Sequence, residues 1–219
     1  MRGNNSLSGQ NIVIDTYWDQ VSKAIANAET GTQPNPNIRV LDAPPGGSSA
    51  YGKFQVTGGK WSMPWNIVQG PDKDYYQRIL KDKYGATEDT FKYYEKYIDH
   101  ARNRLLKYGG KDMVPGMEHL DYGGKGELLN TAKDRQQYHD AFLPMIKYEM
   151  DRAGGDPWQF ITNWRGGSGG VNFGGDIDKY KQWMLNTPGA LNYTQRFFGD
   201  FNQTVPYAPF LDKEDRRKP

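Results

Sequence analysis

One acidic side chain, Glu29, stands where a helical pattern meets a glycine-rich loop, and a carboxyl group in that setting can do acid chemistry. Its preceding neighbours are apolar or small, and Gly31 follows two residues later. A carboxyl group partly removed from water holds its proton more tightly than one in bulk solvent. It can then protonate a leaving oxygen, as glycosidases require. Taken alone, a glutamate at the end of a helix is usually a solvated surface residue.

The helix that positions Glu29 is predicted from Asn11 onwards, and residues 1–10 form a flexible polar arm. Its apolar face is marked at steps of three and four by Ile14, Tyr17, Trp18, Val21, Ile25 and Ala28. Gly31 favours a helix end there. The following stretch TQPNPNIRVLDAPPGGSSAYG contains four prolines and cannot continue a helix. Within it, IRVL is the best candidate for a strand.

Further helices are predicted from Asp72, from Glu88 to Tyr108, from Leu128 onwards with an apolar face between Arg135 and Arg152, from Pro157, and from Asp178 to Leu185. Thr87 is expected to cap the second of these. Pro144 lies inside the third, so either that helix kinks or a new helix begins at the proline. The predicted fold class is mainly α, that is, α+β with a minor β element.

Composition excludes several function classes. The net charge is only +2 from 28 Lys+Arg and 26 Asp+Glu, which argues against nucleic acid as a partner. No apolar window reaches the length of a membrane span or of a signal peptide. There is no cysteine, and the three histidines lack the spacing of a zinc site. The glycine-rich pieces lack a complete nucleotide-binding pattern. We therefore predict no metal and no cofactor.

Two motifs near Glu29 resemble those of a known family. Ala28-Glu29-Thr30 ends the first helix, and Gly52-Lys53-Phe54-Gln55 follows the proline-rich loop. The soluble lytic transglycosylase and goose-type lysozyme branch of the lysozyme-like superfamily has a helix ending in Glu-Ser and then Gly-Leu-Met-Gln. The chain is similar to it in order and spacing, with Thr30 in the place of Ser.

The resemblance resumes near the other end of the chain. Gly154-Gly155-Asp156 matches the Gly-Gly-Asp of the family. The stretch from Asn163 to Gly169 matches Ala-Tyr-Asn-Ala-Gly-Pro-Gly, with Trp164 in the place of Tyr. Arg165 stands where the family has Asn, so no role is carried onto it. The segment from Asp178 to Met184 matches the closing helix of the family.

The resemblance implies a site. Glu29 would be the catalytic acid/base, and Gln55 would hydrogen-bond the substrate or support Glu29. The remaining substrate-binding candidates are Thr30, Tyr51, Gly52 and Trp164. Asp42 lies where goose-type lysozymes place an aspartate, and an inverting hydrolase would use it to activate water across roughly 6.5–9.5 Å. If Asp42 points elsewhere, Glu29 acts alone and forms a 1,6-anhydro product; a simple turn role for Asp42 is equally compatible.

The implied organisation is a lysozyme-like fold with a helical insertion. Residues 11–70 and 131–190 would form the catalytic domain, 71–130 the insertion in the same domain, and 191–219 a C-terminal extension packing on the body. The implied activity is cleavage of the β-1,4 bond between N-acetylmuramic acid and N-acetylglucosamine in peptidoglycan glycan strands.

The setting of such an enzyme is a second expectation. The small chain, without cysteine or an export signal, suggests a phage enzyme in the virion or in lysis, delivered to the bacterial periplasm or cell wall, with other virion proteins as further partners. A bacterial enzyme exported by other means would look the same. The alternatives are a catalytically inactive structural or glycan-binding protein of the virion, or a lysozyme-like enzyme that cuts chitin or peptide bonds.

Overall fold

The structure, a computed structural model, describes residues 6–31, 52–58, 62–107, 128–129, 131–166 and 176–201. Within these ranges the regular secondary structure is helical, in the order α1 (Ser6–Thr30), α2 (Met63–Val68), α3 (Lys73–Tyr84), α4 (Glu88–Lys107), α5 (Ala132–Arg152), α6 (Pro157–Gly166), α7 (Ile177–Asn186) and α8 (Pro188–Asp200). A mainly helical fold class is confirmed for this part of the chain. The strand predicted at IRVL lies outside the described residues, and the lysozyme-like arrangement stays a prediction.

The helix ends follow local signals in the sequence. Gly85 ends α3 in the left-handed conformation, with φ of 76°, which costs glycine little because it has no Cβ. Thr87 accepts from the backbone N–H of Thr90 at 3.3 Å, while the Thr87 N–H donates to the Thr90 hydroxyl at 3.0 Å. The predicted cap of α4 is therefore confirmed.

The long helix α5 passes through its internal proline without a break. Ala132–Arg152 is one helix with Pro144 inside it, so no new helix begins at the proline. The return to helix predicted from Leu128 onwards begins at Ala132 instead. The reason is a reciprocal cap in which the Thr131 N–H donates to the Asp134 carboxylate at 2.9 Å and the Asp134 N–H donates to the Thr131 hydroxyl at 3.1 Å.

Other helix starts differ from the sequence-based expectation. α1 begins at Ser6 rather than Asn11, so helix extends into the stretch expected to be a polar arm. α2 and α8 were not predicted. α8 begins with Pro188 in its first turn and buries Ala190, Tyr193, Thr194 and Phe197. That spacing is helical, so the signal was present in a stretch predicted mostly as a C-terminal extension packing on the body.

The chain divides into two compact units. One comprises Met1–Ala28 and Ile146–Pro219, and the other comprises Glu29–Met145. In the second unit, α2 packs against α3 and α4. In the first, α7 packs against α6 and α8. The division into catalytic domain, insertion and extension stays a prediction. None of the described helices has both the length and the apolar character needed to cross a bilayer.

Candidate functional site

Glu29 and Thr30 form the last turn of α1, as the sequence predicts. The apolar face of the helix is removed from solvent just before them, since Ile25 is fully buried and Ala28 is 3% exposed. Glu29 and Thr30 are half-buried. Gly31 follows with φ of 60° and turns the chain out of the helix. The carboxyl group is therefore carried by a packed helix but keeps access to solvent.

The second motif, Gly52 to Val56, forms a compact turn. Gly52 has φ of 74° and Gln55 has φ of 47°. The Gln55 N–H donates to the Gly52 carbonyl at 3.0 Å. The Gln55 side chain folds back and donates Nε2–H to the same carbonyl at 2.7 Å. One carbonyl oxygen thus fixes both the backbone and the amide of Gln55.

Four contacts fasten this turn to α4 and α5. Phe54 is fully buried, and its ring stacks on Tyr138 at 5.5 Å between centroids. The Tyr97 hydroxyl donates to the Val56 carbonyl. Lys53 Nζ lies 2.9 Å from His139 Nδ1. A Cβ on Gly52 would lie 2.7 Å from the Tyr138 ring, so only glycine lets the backbone approach so closely.

The conformation of Gln55 is unusual for its residue type. A residue with a Cβ loses on the order of 1 kcal/mol in the left-handed region. Among the described residues, Gln55 is the non-glycine residue with positive φ. The turn's contacts hold it there against that cost, and strained residues kept in place by their surroundings are concentrated at functional sites. Gln55 is therefore the strongest candidate functional residue that the described structure offers.

Trp164 lies on α6 and is half-buried. Its ring stacks on Phe160 at 5.7 Å between centroids, and Phe160 in turn contacts Phe197 at 6.1 Å. Packing against this cluster explains the position of Trp164 without a ligand. Its role as a wall of the site stays a prediction.

The predicted site residues divide between the two units. Glu29, Thr30, Gly52 and Gln55 belong to Glu29–Met145, whereas Trp164 belongs to the unit containing Ile146–Pro219. Asp42 and Tyr51 lie outside the described residues. The structure therefore describes the acid candidate and the glutamine turn.

Two buried carboxyl groups were not singled out from the sequence. Asp151 is fully buried and Glu149 is 9% exposed, near the end of α5. Arg152 Nη1 donates to Glu149 Oε1 at 3.3 Å. Burial raises the pKa of Glu149, and the Arg152 charge opposes that rise. Both carboxyl groups flank the apolar residue Met150 in the sequence, and that neighbourhood was the available signal.

The charge of the Asp151 carboxylate affects the pKa of a tyrosine in the same unit. Burial raises the pKa of the Tyr17 hydroxyl, and the Asp151 carboxylate raises it further. Tyr17 therefore stays neutral and protonated throughout the physiological range. Glu149, Asp151, Arg152 and Tyr17 belong to the unit of Met1–Ala28 and Ile146–Pro219.

Within the described ranges, no group of three or more His, Asp or Glu side chains is placed to hold a metal ion. Comparison with protein-family models, curated proteins and solved structures found no match to this chain.

Proposed function

We propose that the protein cleaves peptidoglycan glycan strands at the β-1,4 bond between N-acetylmuramic acid and N-acetylglucosamine, with Glu29 as general acid and base. The observation that carries the proposal is the strained turn at Gln55. In the resembling family a glutamine closes the second motif, and here that glutamine is the non-glycine residue held at positive φ in the described chain. A local strain at the motif's key residue fits a binding role better than a packing role.

The proposed reaction begins with a proton transfer. Glu29 gives its proton to the glycosidic oxygen, and the bond between that oxygen and C1 of N-acetylmuramic acid breaks. The Glu29 carboxylate is then available as a base. Gln55 hydrogen-bonds the sugar or orients Glu29. The Gly52 carbonyl, which accepts from Gln55 Nε2, holds the amide in place for that role.

Two outcomes complete the reaction. If Asp42 faces the sugar, it takes a proton from water, and water adds to C1 to give a reducing end. Otherwise Glu29 takes the proton of the C6 hydroxyl, whose oxygen closes on C1 to form the 1,6-anhydro ring. A phage virion or a lysis enzyme is the proposed setting for either outcome.

The test is digestion of purified cell walls by wild type, Glu29→Gln and a control, Glu95→Gln. Glu95 is an exposed glutamate of α4, so its replacement removes the same charge elsewhere. We expect Glu29→Gln to lower the rate by about 10² to 10⁴, which is what a general acid contributes. Glu95→Gln should behave as wild type.

Mass spectrometry of the released muropeptides identifies the bond that is cut. Reducing sugar ends indicate hydrolysis, and anhydro ends indicate transglycosylation. Equal activity of wild type and Glu29→Gln would refute the catalytic assignment. Binding to cell walls without any product would favour the inactive glycan-binding alternative, and free peptide ends would favour a peptidase.

A further inference from the structure

The solvent-facing side of α7 and α8 includes a long uncharged stretch. Residues 182–195 form the longest run in the chain without Lys, Arg, Asp or Glu, although these four types make up 25% of the sequence. The run covers the end of α7 and the first two turns of α8. We call its larger exposed side chains the Trp183 surface: Gln182, Trp183, Leu185, Asn186, Asn192 and Gln195.

Helical spacing makes these side chains neighbours. Met184 is fully buried on the opposite side of α7, so the residues around it in the sequence turn towards solvent. Asn186 Nδ2 donates to the Gln182 carbonyl at 2.7 Å, one turn back along the helix. Thr187 alone joins α7 to α8, and the two helices pack against each other. The exposed side chains therefore continue from one helix onto the next, as far as Asn192 and beyond.

Trp183 is the aromatic centre of this surface. Its side chain is 36% exposed, and its ring contacts the buried Tyr180 ring at 5.6 Å between centroids. The indole is thus held in position while part of it stays in contact with water. Leu185, two residues later, is 48% exposed. Covering such apolar area is favourable, and a flat aromatic face stacks well on the C–H face of a sugar ring.

The side chains around Trp183 favour one class of ligand. A phosphate-rich polymer or an anionic lipid surface is bound through Lys and Arg, and residues 182–195 contain neither. Four of the six side chains of the Trp183 surface are instead amides. An amide offers both N–H donors and a carbonyl acceptor, and a sugar hydroxyl also donates and accepts. A tryptophan bordered by amides therefore suits uncharged sugar rings.

We propose that the Trp183 surface binds the sugar rings of a glycan strand, as a second binding site in addition to the candidate site at Glu29. The Trp183 surface belongs to the unit of Met1–Ala28 and Ile146–Pro219, whereas Glu29 belongs to the other unit. The choice of peptidoglycan as that glycan rests on the proposed function, but ring stacking does not require Glu29 to cleave. A second site raises the local concentration of the protein on an insoluble polymer.

The experiment measures cosedimentation of the full chain with purified cell walls, in the Glu29→Gln background so that the walls are not consumed. Walls with and without stem peptides are both used. Trp183→Ala removes the ring, Trp183→Tyr keeps an aromatic face, and Asn192→Ala removes one amide and leaves the ring intact. Gln69→Ala is the matched control, because Gln69 is an exposed amide outside the Trp183 surface. Thermal unfolding checks that each variant folds.

We expect Trp183→Ala to weaken binding about tenfold, the effect of losing one stacked ring. The loss should be equal for intact and stripped walls, because both carry the sugar rings. Trp183→Tyr should restore most of it, Asn192→Ala should cost about threefold through one hydrogen bond, and Gln69→Ala should bind as the parent does. Since the bound rings are uncharged, raising the salt concentration should leave the ratio of parent to Trp183→Ala affinity unchanged.

Three results would overturn the inference. Unchanged wall binding by Trp183→Ala and Asn192→Ala, or a parent that binds neither wall preparation, shows that this surface holds no glycan. A loss confined to intact walls assigns the surface to the stem peptide. A dimer that becomes a monomer in Trp183→Ala, with wall binding unchanged, assigns it to a second copy of the chain.

Failure of this inference and failure of the proposed function are distinguishable, because cleavage is read from the products and binding from cosedimentation. Products that depend on Glu29, with no effect of Trp183→Ala on binding, leave the proposed function standing without the second site. Weaker wall binding by Trp183→Ala, in a protein that releases no product, supports the second site and refutes the proposed function.

Discussion

The turn at Gly52–Val56 and the end of α5 at Tyr148–Arg152 place polar groups in opposite ways. In the turn, the backbone is strained and tightly bonded, while the side chains of Lys53 and Gln55 are half-buried. At the end of α5, the backbone is an ordinary helix, while the carboxyl groups of Glu149 and Asp151 are buried. In the turn, the free-energy cost is that of a strained backbone conformation. At the end of α5, it is the cost of removing carboxyl groups from water.

That difference separates two kinds of candidate. A strained backbone positions a side chain that can still reach a ligand, which suits recognition. Buried carboxyl groups beside an arginine and a tyrosine make the stability of the fold depend on packing and on protonation. A fully buried group, however, cannot contact a substrate. We therefore propose a functional role for the turn and a structural, pH-sensitive role for the end of α5.

The largest expected effect on stability comes from filling the space at Gly52. Gly52→Ala forces a Cβ against Tyr138 at positive φ and should lower the free energy of unfolding by about 2–4 kcal/mol. Gly85→Ala is the matched control, because Gly85 has φ of 76° and nothing within 4 Å of its Cβ position. It should lose only about 1 kcal/mol. Equal losses in urea denaturation would show that the approach to Tyr138 is unimportant.

A smaller effect on stability and a large one on activity are expected for Gln55→Gly. Glycine removes the conformational cost of the positive φ, but the hydrogen bond from Gln55 Nε2 is lost. These two changes in the free energy of unfolding should cancel to within about 1 kcal/mol. Cell-wall cleavage should fall at least about tenfold. Gln77→Ala is the control, because Gln77 Nε2 also donates to a carbonyl, that of Ile67, at 3.0 Å. It should lose stability without losing activity. Full activity of Gln55→Gly would remove the functional assignment of the turn.

The smallest effect at neutral pH is a change in pH dependence at the end of α5. The pKa of Glu149 is raised in the native state, so native protein binds this proton more tightly than unfolded chain does. Stability therefore falls as pH rises from the unfolded carboxyl value, about 4.3, through the native pKa. Glu149→Gln should remove that fall in stability. The stability of this variant relative to wild type should therefore increase as pH rises across this range.

Asp134 at the start of α5 provides a control of opposite sign. Hydrogen bonds from the side chain and backbone of Thr131 lower its pKa. The contribution of Asp134 to stability is present above the pKa that its carboxyl group has in the unfolded chain. It is lost as pH falls through the native pKa. In thermal unfolding at several pH values, Asp134→Asn should therefore lose stability relative to wild type only at the higher pH values. Parallel pH profiles for the two variants would contradict the contrast between the two regions.

The sequence predicted much of the helical pattern because apolar spacing, caps and glycine stops are local signals. Thr87 and Gly85 mark their helix boundaries directly, and the apolar spacing of α1 led to Glu29. The helix α8 also carries an apolar pattern of helical spacing, although no helix is predicted there. The return to helix predicted from Leu128 begins only at Ala132, because the reciprocal cap of Thr131 and Asp134 fixes the start there.

The sequence by itself determined the mainly helical class, the position of Glu29 at a helix end, and the motif that begins with Gly52 and ends with Gln55. Only the tertiary structure decided that Gln55 is held at positive φ, that Lys53 meets His139, and that Glu149 and Asp151 are buried. Each of these depends on residues far apart in the chain, such as Phe54 and Tyr138. Local spacing cannot report such contacts, because strain and desolvation are set by the neighbours that folding brings together.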